Sequence, residues 1–526
     1  MIIMTRAAAK RASMLITSLF FILLLTACAS NPEKEVVTST QDGSFDISIL
    51  ESSPDITTNS NEDVAPTASS EAKYIQYTES FTSTDGSVEF YFNFDQDIAD
   101  QAYPVVEVCP YMLTNKDAQT IASALFGNTE FYEAPPAFGG IKDMFSKAEM
   151  REAIQRWSSY TNEQMLLDLF PNMENRRDRL NWYLERIKGD VADFSTLIEE
   201  MTETNPRSAA MWEFQPEWKY QYPESDVPEE IRTDSNANKQ ICVTTTVEGI
   251  PYRLNFTTNN GDTYKLNTIF AYPGTVYSPM DIDRDIFRAK LCRTAEPTAE
   301  QIDAVKEKAQ AMLNRMGIGS WAVEGCNVEN TNADGIPEYV ISITAVPVFE
   351  SAAAMYRAQL DNLSENFSAS YYLTEALLQF SANGDLVYLR ITSPVDIVDV
   401  INGNVATMDL VELMERAKEH LILSDSHAYG LSGQILEDFQ KDVGEEFICK
   451  IEMNKFDYGL IRVKVEDSKE NFYYIPGIII YGSIDYCGKD TGTIYASSGE
   501  TFDKNRTIPL VALNTIDGSI IDLSAG

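Results

Sequence analysis

The chain has 526 residues, of which 80 are acidic and 41 basic, giving a formal net charge of −39 with 44% hydrophobic residues. That length points to two to four folded units rather than one. Such acidity excludes the broad basic surface that nucleic-acid binding requires, and it disfavours lying flat on anionic lipid.

The first 28 residues read as an export signal. Arg6, Lys10 and Arg11 form a basic head, and Met14 to Leu25 form a mainly apolar run. The run is shorter than the roughly 20 apolar residues a spanning helix needs. Leu25-Thr26-Ala27-Cys28 resembles the bacterial lipobox, which implies cleavage after residue 27 and acylation of the Cys28 thiol by palmitate-type chains. Each buried methylene of such chains contributes about 0.8 kcal/mol to membrane attachment. The expected location is therefore the extracytoplasmic face of a cell membrane. Cleavage would remove three basic residues and no acidic ones, taking the charge from −39 to −42.

Residues 28–72 read as a disordered acidic tether. From 29 to 73 there are nine Asp and Glu against Lys34 and Lys73, amid Ser, Thr, Asn and Pro. Such a stretch has too little apolar surface to offset its ordering entropy. As a flexible coil it would span roughly 35–40 Å.

Beyond the tether the pattern predicts an α+β fold of tandem helix-plus-antiparallel-sheet units, at 73–290, 291–402 and 403–526. Thr114 with Asp117, and Thr298 with Gln301, read as helix starts, with Gly127 and Gly317 as stops; Thr407 precedes a third helix over 408–422. In the second helix Ile302, Val305, Ala309, Met312, Leu313 and Met316 form one apolar stripe. Asn260-Gly261, Asn383-Gly384 and Asp517-Gly518 separate pairs of strand-like segments, because these dipeptides tolerate the positive φ of tight hairpins. Alternation places Tyr252, Leu254 and Phe256 on one face, with Arg253 and Asn255 on the other. The first unit carries a helical insertion over 145–203, built from helices at 145–170 and 174–203. Leu180, Tyr183, Leu184, Ile187, Val191, Phe194, Leu197, Ile198 and Met201 form its stripe, with Gly189 as a break or bend.

Six cysteines follow Cys28: Cys109, Cys242, Cys292, Cys326, Cys449 and Cys487. None belongs to a C-x-x-C pair, so zinc or thioredoxin-like chemistry has no support. Three disulfides are permitted, with Cys449–Cys487 the first pairing to consider. Phe447, Cys449, Ile451 and Met453 share one strand face, so a buried thiol at Cys449 is an equal alternative.

No catalytic residues are assigned. His420 and His427 are the only histidines, and no G-x-S-x-G or H-E-x-x-H motif accompanies them. His420 falls in a last helical turn, where its charge would favour the helix's negative end. Asn330, Asn332, Asp334 and Gly335 mimic positions 1, 3, 5 and 6 of a calcium loop, with Ile341 where the bidentate glutamate belongs and Glu338 available to a shorter loop. An Asp-Gly turn between strands explains the same residues, so neither metal nor cofactor is expected. Trp212, Phe214, Trp218, Tyr220 and Tyr222 form an aromatic stripe that either fills a core or, if exposed, offers a ligand or partner surface.

"YGLIRVKVED" (458–467), "YYIPG" (473–477), "LNTIDGSIID" (513–522) and Leu125-Phe126-Gly127 resemble the signature of an uncharacterised family of Gram-positive lipoproteins. More distantly, the helix-plus-sheet units resemble PepSY-type modules and the extracytoplasmic accessory proteins of a cell-wall sensor kinase. The resemblance implies no catalytic residues. The expectation is a lipid-anchored, non-catalytic binding or regulatory protein whose partner is another envelope protein or a cell-wall component. The alternatives are a solute-binding lipoprotein of a transporter, which would need two α/β lobes around a cleft, and a cell-wall hydrolase, which would need converging carboxylates.

Overall fold

The computed structural model describes residues 44–45, 73–98, 102–134, 147–169, 174, 176–200, 219–220, 239–260, 265–274, 282–330, 337–350, 352–355, 374–423, 440–441, 443–465, 471–498 and 508–521. The first elements are β1 (Ser44–Phe45), β2 (Lys73–Thr82), β3 (Val88–Ile98), β4 (Val105–Pro110), α1 (Asn115–Phe126) and β5 (Tyr132–Ala134). Then come α2 (Lys147–Ser159), α3 (Glu163–Leu169), α4 (Arg177–Glu200), β6 (Lys219–Tyr220), β7 (Lys239–Val247), β8 (Ile250–Asn260) and β9 (Lys265–Pro273). The middle of the chain holds α5 (Ile282–Cys292), α6 (Ala299–Met316), β10 (Trp321–Asn330), β11 (Tyr339–Phe349), β12 (Ala352–Ala353), β13 (Glu375–Phe380), β14 (Leu386–Thr392) and β15 (Val395–Asn402). The last elements are α7 (Leu410–Leu421), β16 (Phe447–Val465), β17 (Phe472–Gly488), β18 (Ile494–Ser498) and β19 (Ile508–Asn514). The α+β class is as expected.

The chain divides into two compact units. One comprises Met1–Cys109, Phe349–Ala369 and Ile397–Gly526; the other comprises Pro110–Val348 and Ser370–Asp396. We call them the outer-segment unit and the inserted unit. This division cuts across the three consecutive units expected from sequence.

In the inserted unit the sheet order is β10-β11-β13-β14-β9-β8-β7-β5, with β6 on β7. One face is covered by α1 and α6, whose Ile121, Leu125, Val305, Met312, Leu313 and Met316 meet Leu254, Phe256, Ile343, Leu378, Phe380 and Leu389 of the strands. Both helices start with the expected capping boxes, at Thr114/Asp117 and Thr298/Gln301. Gly317 closes α6 in the left-handed conformation, and Gly127 ends α1 at φ 68°. The strand alternation holds for Tyr252, Leu254 and Phe256. Arg253 departs from it: at 5% exposure it is buried rather than solvated. Its Nε donates to Asn255 Oδ1 at 2.8 Å and to Cys242 Sγ at 3.1 Å.

The helical insertion forms its own core. Met150, Trp157, Leu166, Leu180, Leu184, Ile187 and Phe194 pack together with Ile286 of α5. At its other end, α5 places Leu291 and Cys292 against Val340 and Val387 of the sheet. The expected helix at 145–170 is two helices, parted at Tyr160–Asn162. The expected break at Gly189 does not occur, since α4 runs unbroken from Arg177 to Glu200.

The outer-segment unit is built on the sheet β15-β4-β17-β16-β3-β2, with β18 and β19 also on β17 and β1 on β16. β16 and β17 form a long antiparallel hairpin, from Phe447↔Gly488 to Lys464↔Phe472. β3 joins it in parallel, from Cys449↔Val88 to Met453↔Phe92. One face meets α7: Leu413, Met414, Ala417 and Leu421 pack on Phe90, Phe92, Ile451, Ile478 and Ile480. On the opposite face Val105, Ile461, Ile475, Ile479 and Ala512 form a second core. β17 is therefore buried on both faces, which explains its near-continuous apolar run. Burying each such Ile or Phe side chain contributes about 1.5–3 kcal/mol relative to leaving it exposed. Close packing also fixes the glycines: a Cβ on Gly482 would lie 2.2 Å from the Glu452 carbonyl oxygen.

Two further expectations change here. α7 is capped by Asp409, whose side chain accepts from the Val411 amide, rather than by Thr407. Ser44 and Phe45, inside the expected tether, pair in parallel with Lys464 and Val465.

Candidate functional site

Cys28, Asn332, Asp334, Trp212, Phe214, Trp218, Tyr222 and His427 lie outside the described residues. Tyr220 belongs to β6, opposite Lys239 of β7. Asn330 ends β10, opposite Tyr339. Glu338, offered to a shortened calcium loop, is instead engaged by arginines: Arg293 approaches Oε1 at 3.0 Å and Arg288 approaches Oε2 at 3.9 Å. Among the described residues no three His, Cys, Asp or Glu side chains come together as metal ligands.

Cys292, Cys326, Cys449 and Cys487 are free, and burial pushes Cys292 and Cys449 up to about 12. A thiolate nucleophile needs the opposite shift. Cys449 stands opposite Tyr486 and Cys487 opposite Ile448, so the two thiols leave the sheet on opposite faces and do not bridge. His420 is also explained by burial, which holds its imidazole below the ordinary value of 6.5. Its expected role as a charge at the helix end gives way to a neutral side chain.

Several carboxylates have structural partners. Glu375 takes Arg390 at 2.6 Å, and Asp117 completes the α1 cap while accepting from Tyr111 at 2.9 Å. Glu445 ties the β17–β18 turn; hydrogen bonds from the Thr491 and Asp490 amides hold its carboxyl below the ordinary range.

The feature that remains is an edge. β15 ends the path of the outer-segment sheet, hydrogen-bonded to β4 on one side. Of its residues, Ile397 is 50% exposed, Val398 51% and Val400 37%. Three of the eleven large hydrophobic side chains exposed among the described residues thus fall within four positions of one strand. Ile397 and Val398 are consecutive, so both faces of the strand carry apolar surface there. Asp399 lies among them, and Asp396 precedes them. Burial, with the Asp117 charge, holds Asp396 above the ordinary carboxylate range. Among the described residues, an edge strand of this kind presents unpaired amides and carbonyls to an incoming strand, flanked by apolar side chains and negative charge.

The sequence reading missed this edge. "VDIVDVIN" (395–402) lacks clean alternation and reads like a strand buried on both faces. Its two aspartates are the sole local sign of exposure.

No family model matches the sequence, and no curated protein matches it. Among solved structures, the chain is similar to an uncharacterized protein from Eubacterium rectale ATCC 33656, with TM-score 0.28 and 12% identity, over 55% of this chain and 78% of that one. A likeness of that size carries no argument about function. No described helix is long and apolar enough to cross a membrane.

Proposed function

We propose that this chain is a lipid-anchored, extracytoplasmic, non-catalytic binding or regulatory protein of the cell envelope. In this reading it takes up an extended segment of a partner along β15. The observation that carries it is the apolar, exposed sheet edge at Ile397, Val398 and Val400. Strand addition supplies affinity through main-chain hydrogen bonds, and the alternating side chains supply specificity. Asp396 and Asp399 favour a segment with Lys or Arg beside its apolar residues. The Cys28 lipobox and the resemblance to Gram-positive lipoproteins support the location. The mainly antiparallel sheets favour this reading over a solute-binding protein with two α/β lobes.

The test is cross-linking from intact cells, comparing the native chain with Val398→Lys/Val400→Lys. The native chain is expected to capture an envelope protein, and the variant to lose it while staying folded. Capture of a transporter permease by both chains would overturn the proposal. A Cys28→Ala chain that still partitions with membranes would overturn the lipid anchor alone.

A further inference from the structure

α4 carries its charges the wrong way round. From Arg176 to Lys188 there are five basic and two acidic residues; from Gly189 to Glu200 there are four acidic and no basic ones. A helix macrodipole favours acids at the N-terminus and bases at the C-terminus, so both halves oppose it. The helix also places Gly189 at its middle, where glycine is less stable than alanine. Among the described residues nothing accounts for that choice, because a Cβ on Gly189 would meet no atom within 4 Å. A third oddity is Trp182, 52% exposed, with Arg186 stacked 5.3 Å from its ring centroid. Sequence departures that nothing local repays mark positions held for another purpose.

These features lie on one seam. The buried face of α4 runs through Leu180, Leu184, Ile187 and Phe194. Opposite it, Trp182, Arg186, Gly189, Asp193, Thr196 and Glu200 follow each other at spacings of three and four, all exposed.

We infer that this seam is the contact between two copies of the chain, with the α4 helices antiparallel about a two-fold axis at Gly189. That axis sets residues whose numbers are equally far from 189 opposite one another. Trp182 then meets Thr196 of the second copy, about 10 Å from the axis on a rise of 1.5 Å per residue. Arg179 meets Glu199, and Arg186 reaches Asp193. The basic half of each helix covers the acidic half of the other, and each helix end receives the charge its dipole favours. The two glycines face each other on the axis, where the lack of a side chain lets the backbones approach. A parallel pairing would stack like charge on like. A two-fold contact uses the same patch twice, which a self-complementary helix satisfies.

Sedimentation equilibrium of the full-length chain in detergent tests this. A dimer is expected at low salt, with its dissociation constant rising about tenfold or more as ionic strength rises from 50 to 500 mM. Gly189→Leu should abolish the dimer while leaving the circular dichroism and melting temperature unchanged or raised. Arg179→Glu/Arg186→Glu and Asp193→Arg/Glu199→Arg should each abolish it, and the fourfold combination should restore it. Gly189→Cys should cross-link to itself on oxidation, whereas Asn181→Cys, off the seam, should not. A chain that stays monomeric at low salt, or a dimer indifferent to Gly189→Leu and to both charge reversals, would overturn the inference.

Discussion

The two sheets reach a buried core by different routes. In the inserted unit the path from β10 to β5 is antiparallel throughout, and one face is covered by α1 and α6, whose start and stop residues are local in the chain. In the outer-segment unit, β3 enters in parallel beside β16, and β17 is buried on both faces. The first arrangement rests on hairpins and caps. The second rests on side chains from distant parts of the sequence that fit one central strand.

That difference is measurable if each unit unfolds as its own transition in calorimetry. The largest expected effect is Phe380→Ala, which removes a fully buried ring and should lower the inserted unit's stability by about 3–5 kcal/mol, leaving the other transition in place. Gly482→Ala should act on the other unit instead, by roughly 2–3 kcal/mol, because the added methyl meets a main-chain carbonyl that cannot rotate away. A single transition that moves in both variants would erase the distinction.

Smaller changes sharpen it. Removing a helix cap should cost about 1 kcal/mol, in the inserted unit for Thr298→Ala and in the outer-segment unit for Asp409→Ala. Lys418 of α7 and Tyr77 of β2 both donate to Glu79, holding its carboxyl below the ordinary 4.5. A lowered acid stabilises above its unfolded value and loses that contribution as pH falls through the folded one. Glu79→Gln should therefore cost up to about 1 kcal/mol at pH 7 and nothing once the native carboxyl is protonated, as denaturant titrations at the two pH values would show. His420 gives the smallest effect. Burial disfavours its protonated form, so the outer-segment transition should weaken as pH drops below 6.5, and His420→Gln should flatten that limb.

What the sequence made legible follows the same divide. The capping boxes, the apolar stripe of α6, the insertion's own stripe and the turns at Asn383-Gly384 and Asp517-Gly518 all depend on residues within one helix or hairpin. Gly384 and Gly518 take the positive φ expected of them. The Glu248-Gly249 turn between β7 and β8 carries no such mark, because its first residue is neither Asn nor Asp, though both residues have positive φ. The division into two units is hidden for a different reason: a parallel pair leaves no mark in either strand's own pattern. The candidate edge at β15 was hidden too, since burial is set by neighbours rather than by composition. The charge reversal along α4 is local and stands in the sequence itself, as a basic stretch of thirteen residues within a chain of net charge −39.

The bond between Gln96 and Phe456 spans 360 positions: the Gln96 amide donates to the Phe456 carbonyl, and the Phe456 amide donates back. A chain that emerges from its N-terminus makes the β2–β3 hairpin early and its parallel neighbour nearly last. At 5–20 residues per second the interval is roughly 20–70 s, far longer than the microseconds a hairpin needs to form. Throughout that wait Phe90, Phe92 and Phe94 have no β16 to cover them, and every strand of the inserted unit emerges before β16 does. Vectorial emergence thus imposes an order of assembly, and it makes the aromatic N-terminal hairpin the segment most in need of a chaperone.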